Sequence, residues 1–129
     1  MLFTRGKLKK GEVILVLGAS GGVGLASVQF AQMIGAKVIA AAGTDKKCDR
    51  LSELGADHVI NYQVEDFSKA AWLASDKKGC DVIVNFTGGD TWAPSLRAAK
   101  QRGRVLTCGA TAGHDAQTDL RYLWVRELD

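Results

Sequence analysis

Short apolar runs rich in β-branched residues alternate along this chain with longer stretches in which apolar residues recur at helical spacing. That alternation predicts βαβ units feeding a parallel sheet, because strands covered on both faces are apolar throughout while each crossover helix buries one stripe. Val13–Leu17 is the first predicted strand. A helix from Gly22 to Ile34 follows, with Val23, Ala26, Ser27, Phe30, Ala31 and Ile34 on one face, Leu25 and Val28 beside it, and Gly35 placed to end it. Lys37–Ala41 predicts the second strand. The next helix begins at Thr44, whose hydroxyl can cap the first turn; Asp45 suits the positive end of the dipole and points to solvent, and Gly55 closes the helix after Leu51 and Leu54. His58–Asn61 predicts the third strand, Asp66–Ser75 a helix, Asp81–Asn85 the fourth strand, Thr91–Lys100 a helix, and Arg104–Cys108 the fifth strand after a turn at Gly103. A short helix carrying Leu120, Leu123 and Trp124 is expected from Thr118.

Right-handed crossovers applied to five such strands give a doubly wound parallel sheet of order 3-2-1-4-5. A sixth strand is absent, so the fifth is expected to be an unpaired edge, Leu123 and Trp124 to lack cover, and the domain to self-associate as a homo-oligomer. At 129 residues and 47% hydrophobic content, one domain covering 1–129 is expected, with no need of disulfides or metals. Val13–Ala36 has no charged residue and is long enough to resemble a membrane span, but Gly18, Gly21, Gly22 and Gly24 interrupt it, so no membrane partner is expected. A net charge of +3, with acids interleaved among the lysines, leaves no basic stripe for nucleic acid. The widely spaced Cys48, Cys80 and Cys108 form no C-x-x-C pair and read as small hydrophobes in a helix and two strands. The start of the chain lacks the apolar run of a signal peptide, and a cytoplasmic location is expected.

Candidate chemistry enters at Gly18-Ala19-Ser20-Gly21-Gly22-Val23-Gly24, between the first strand and the first helix. This is the position of a Rossmann dinucleotide fingerprint. Ala19 opens the tight turn, Gly21 lets the backbone approach a pyrophosphate, Gly24 lets helix and strand pack closely, and the helix N-terminus offers free N–H groups to the phosphates. Glycines in such a turn can also serve a nucleotide-free α/β fold; the location in the first βα turn favours binding. No Gly-Lys-Ser/Thr follows, which excludes a P-loop.

The loop, preceded by Gly11-Glu12-Val13 and followed by Gln29-Phe30-Ala31, Ile34-Gly35-Ala36, Leu54-Gly55-Ala56-Asp57, Val59-Ile60-Asn61-Tyr62, Gly79-Cys80-Asp81-Val82-Ile83-Val84 and Gly103-Arg104-Val105-Leu106 with Gly109, resembles the medium-chain dehydrogenase/reductase superfamily. Within it the quinone oxidoreductase and zinc-type alcohol dehydrogenase branches are the ones resembled. The resemblance implies the cofactor-binding domain of an oxidoreductase that transfers hydride between a nicotinamide cofactor and a carbonyl, quinone or alkene. It also implies a separate catalytic domain, absent from this chain, holding any zinc and most substrate contacts. The chain alone is then expected to bind cofactor without turnover. Asn85 stands where the family often has Asp.

The resemblance places Ala42 where a carboxylate would accept from the adenosine ribose of NAD. Gly43 and Thr44 follow, and Lys47 and Tyr62 match residues that contact the 2′-phosphate in NADPH-dependent quinone oxidoreductases. NADP(H) is therefore expected over NAD(H), although Lys46 and Lys47 could also form a solvated helix face and Tyr62 a half-buried ring. Ser20, Gly21, Gly22 and Val23 would lie at the pyrophosphate, and by resemblance Phe86, Thr87 and Gly88 with Cys108, Gly109 and Ala110 would border the ribose and nicotinamide. No catalytic residue is assigned. His58 and His114 lack metal-ligand spacing, so no metal site is assigned. Two other readings remain open: a non-enzymatic NADP(H)-binding or redox-sensing module, and the enoyl-reductase portion of a larger synthase.

Overall fold

The computed structural model describes all residues, Met1–Asp129. Strands β1 (Val13–Leu17), β2 (Lys37–Ala42), β3 (His58–Asn61), β4 (Cys80–Val84) and β5 (Ala99–Leu106) form one parallel sheet of order β3-β2-β1-β4-β5. The connecting helices are α1 (Gly22–Ile34), α2 (Asp45–Glu53), α3 (Phe67–Ala74) and α4 (Trp92–Ala98), with a short α5 (Arg121–Val125) near the end. This is the doubly wound Rossmann-like architecture expected from the sequence.

Alternation along the central strand explains why both faces carry helices. Ile14 and Val16 join Val28, Ala31, Cys48 and Leu51 in the core beneath α1 and α2. Leu15 and Leu17 join Phe67, Ala71 and Ala98 beneath α3 and α4. Residues 14–17 are at most 1% exposed, and truncating any of the larger ones to Ala is expected to cost about 2–5 kcal/mol. Polar caps set the helix starts: Thr44 Oγ1 accepts from Lys47 N–H, and Asp66 Oδ1 accepts from Ser68 and Lys69 N–H. No helix is long and apolar enough to cross a membrane.

Five local expectations are corrected. The buried face of α1 is Gly24, Ser27, Val28 and Ala31, whereas Val23 and Phe30 are 46% and 47% exposed. Close approach to the sheet admits small side chains there, so the larger apolar ones stand outside; Phe30 meets the ring of Phe3 edge-on. The fourth helix stops at Ala98 rather than Lys100, because Ala99 already pairs with Cys80. The ladder then shifts register before Arg104 pairs with Val82, with Arg102 at φ +62°, so the turn expected at Gly103 is an irregularity inside β5. The fifth strand ends at Leu106, which leaves Cys108 exposed in a loop instead of packed in a strand.

The fifth correction concerns the sheet edge. Asp129 N–H donates to Gly103 O and Val105 N–H donates to Asp129 O, the pattern of a parallel pair, while Arg102 N–H donates to Arg126 O. The outer edge of β5 is therefore partly occupied by residues 126–129. Leu123 and Trp124 remain 40% and 65% exposed.

Candidate functional site

The carboxyl ends of β1, β2 and β4 bring the sequence-marked residues to one side of the sheet. After β1 the chain turns at Gly18 (φ +63°), Ala19 N–H bonds Ala41 O, and Gly21 N–H closes the turn on Gly18 O. Gly24 is required by packing: a Cβ there would collide with Gly18 O and lie 2.7 Å from Ala19 Cα. Gly21 and Gly22 differ. A Cβ on Gly21 would approach nothing nearer than 3.5 Å, and one on Gly22 would meet nothing within 4 Å. Both face open space at the N-terminus of a 13-residue helix that has no side-chain cap and no acid in its first turn. Its leading amides and uncompensated dipole can receive an anion, and bare glycine leaves room for one.

At the end of β2, Ala42 is almost fully buried and joins the core beneath α1 and α2, so no carboxylate stands there. Tyr62 crosses over Gly43, its Oη 3.1 Å from where a Cβ would lie. Thr44 has its hydroxyl oxygen engaged as the α2 cap. Asp45 is exposed, but its carboxylate is held by Asn61 Nδ2 at 2.9 Å rather than left to solvent. Lys47 lines a pocket of about 370 Å³ with Ser20 and Gly21. Lys46 does not. Arg50 shares that pocket, one helical turn beyond Lys47. The sequence reading passed over Arg50; the signal was its i+3 spacing from Lys47, which puts both on one face of α2.

The end of β4 is organised by Asn85, which is fully buried. Its Oδ1 accepts from Thr87 N–H and Gly88 N–H, both at 2.9 Å, and its Nδ2 donates to Ser95 Oγ at 2.8 Å and to Thr91 Oγ1 at 3.2 Å. Phe86, Thr87 and Gly88 are thus fixed by one amide that the sequence marked only as a departure from the family pattern. The loop after β5 docks on them through Thr111 N–H to Phe86 O, Ala112 N–H to Thr87 O and Gly89 N–H to Gly113 O. Ala110 packs against Gly88, and Gly109 lies near Phe86 O. Thr87 and Tyr62 line a second cleft of about 600 Å³ between the ends of β3 and β4. Cys108 is a free, exposed thiol on the loop after β5.

Burial pushes the Cys80 thiol up to about 12 and raises that of Cys48, so both are inert packing groups. Asp66 is held below the usual carboxylate range chiefly by the Ser68 hydroxyl. No group of three His, Cys, Asp or Glu side chains is arranged to hold a metal ion. The residues of this chain therefore do not fit a zinc site.

A parallel α/β sheet with an uncapped helix N-terminus behind a glycine turn defines a dinucleotide-binding class, and comparison places it further. The family model for zinc-binding dehydrogenases matches residues 22–129, and the chain belongs to that family, within the medium-chain dehydrogenases/reductases. Quinone oxidoreductase-like protein 2 of Rattus norvegicus is 33% identical over 125 residues, covering 96% of this chain and 36% of that protein. The crystal structure of AibC matches with a TM-score of 0.94 at 38% identity, over 99% of this chain and 36% of that one. Escherichia coli quinone oxidoreductase complexed with NADPH matches with a TM-score of 0.89 at 33% identity, over 98% of this chain and 39% of that one. The chain spans about a third of the length of the curated relatives it matches. Members of this family bind nicotinamide dinucleotides, and this chain corresponds to their cofactor-binding domain.

Proposed function

We propose that the chain binds NADP(H) in preference to NAD(H) and orients it for hydride transfer to or from a carbonyl, quinone or activated alkene. The observation that carries this reading is the shared pocket of Ser20, Gly21 and Lys47 beside a β2 end that has Ala42 in place of an acid. Its residues fit the group: open glycines and the α1 N-terminus for the pyrophosphate and Lys47 for the 2′-phosphate, with Thr44 capping the helix that carries Lys47 and Tyr62 over Gly43. When bound, the nicotinamide supplies or accepts the hydride. The chain's own part is to bind and orient. Phe86, Thr87 and Gly88, with Cys108, Gly109 and Ala110, border the nicotinamide end, where Asn85 sets the backbone.

Proton delivery and substrate contacts come, in this reading, from a catalytic domain outside residues 1–129, and the chain alone binds without turnover. Three free thiols suit a reducing cytoplasm. Exposed Leu120, Leu123, Trp124 and Val125 favour self-association. The test is titration of NADPH into wild type and Gly21→Asp. A side chain and negative charge at the pyrophosphate should weaken binding at least about tenfold. Unchanged affinity would overturn the loop assignment, and NADPH consumption with quinones by this chain alone would overturn the placing of the chemistry elsewhere.

A further inference from the structure

One face of α2 presents Lys47, Arg50, Leu51 and Leu54, the i, i+3, i+4, i+7 set, to the pocket that begins at Ser20 and Gly21. Two cations therefore share one concavity with the unneutralised end of α1. Neither is spent elsewhere: the ion pairs of the molecule use Lys100, Arg102, Arg104 and Arg121. Arg50 stands three residues before Glu53 on the same helix, a spacing at which pairs form readily, yet no pair is made. No acid lines the pocket, and Asp45 in the first turn of α2 is held by Asn61.

We propose that Arg50 is a second cation for the adenosine 2′-phosphate and a specificity-determining residue for it. The inference rests on the NADP(H) reading above. A phosphomonoester carries −1.5 to −2 at pH 7, with its second ionisation near pH 6. Lys47 is a single point charge and leaves that dianion undercompensated, whereas Arg50 adds a planar fork that matches two phosphate oxygens. The pair therefore selects the dianion over both the monoanion and the bare ribose of NAD. Because Arg50 is exposed and screened, its expected contribution is smaller than that of a buried pair.

The test compares 2′-phosphoadenosine 5′-phosphate with 5′-AMP, and NADPH with NADH, on wild type, Arg50→Gln, Arg50→Lys and Lys47→Gln. Arg50→Gln should weaken both 2′-phosphorylated ligands roughly 3- to 10-fold at low salt and leave 5′-AMP and NADH unchanged. Arg50→Lys should recover part of the loss, and high salt should erase the difference. Between pH 7 and 5 wild type should lose more NADPH affinity than Arg50→Gln, as the dianion gains a proton. An unchanged phosphate preference in Arg50→Gln, with that preference lost in Lys47→Gln, refutes the role of Arg50 and leaves the NADP(H) reading standing. A parallel fall for NADH refutes it too, since Arg50 would then act on the fold. Equal binding of the phosphorylated and unphosphorylated ligands by wild type removes both.

Discussion

Gly21–Gly22 and Gly88–Gly89 follow neighbouring strands, β1 and β4, and are glycine for opposite reasons. A Cβ on Gly22 meets nothing within 4 Å, whereas one on Gly88 would collide with Gly113 O and one on Gly89 would lie 2.8 Å from Ala112 O. Gly88 also sits at φ +67°, ψ −148°, a conformation nearly reserved for glycine. The first pair leaves open space at the α1 N-terminus. The second fills its space with the protein's own backbone. A glycine's contacts thus separate the open end of the candidate site from the packed scaffold beside it.

Alanine at each pair should break the comparison most visibly. Gly88→Ala combines backbone strain with a collision and should cost about 3–5 kcal/mol, lowering the melting temperature by roughly 10–20 °C. Gly22→Ala, at the first position of α1, should leave melting unchanged or slightly raised while weakening NADPH about tenfold or more. Thermal melts and cofactor titrations on both variants check this. Equal melting temperatures would dissolve the distinction.

A smaller effect is expected at the amide that holds the β4 end. Ser95 Oγ donates to Thr91 O, and Thr91 Oγ1 donates to Gly88 O, so both hydroxyls accept from Asn85 Nδ2. Asn85→Asp replaces that donor with an acceptor and should cost about 1–3 kcal/mol. Denaturant melts of the variant and wild type would show this loss, and an unchanged midpoint would contradict the role of the amide.

The thiols give the mildest contrast. Cys80 and Cys48 are buried with raised pKa values, and Cys108 is exposed on the loop beyond β5. At pH 8 one thiol per chain should react rapidly with a disulfide reagent, and Cys108→Ser should remove that phase. Two rapid thiols would contradict the packing of β4 or α2.

Elements governed by local chemistry were legible in the sequence. β1 and β3 match their expected limits, and Thr44 caps α2 as its position suggested. What depends on long-range contact was not. The α4–β5 boundary is set by Ala99 pairing with Cys80, and nothing between Thr91 and Lys100 signals it. The large apolar residues of α1 misled because distance to the sheet, not hydrophobicity, selects Gly24, Ser27 and Ala31 for its inner face. At the site, the glycine loop stood out by residue type and position, whereas Lys47 was marked only by resemblance to the family. Arg50 entered only when the pocket joined it to Ser20, and Asn85 became informative only with its four partner residues in view.

The central claim, that this domain reads the 2′-phosphate of its cofactor, is tested most directly by titrating NADPH and NADH into wild type and Lys47→Ala at low salt. A charge-assisted contact of about 1.5–3 kcal/mol predicts that wild type binds NADPH roughly 10- to 150-fold more tightly than NADH, and that Lys47→Ala loses most of this preference while its NADH affinity barely changes. Equal affinity of wild type for the two cofactors would contradict the account of Ala42, Lys47 and Tyr62.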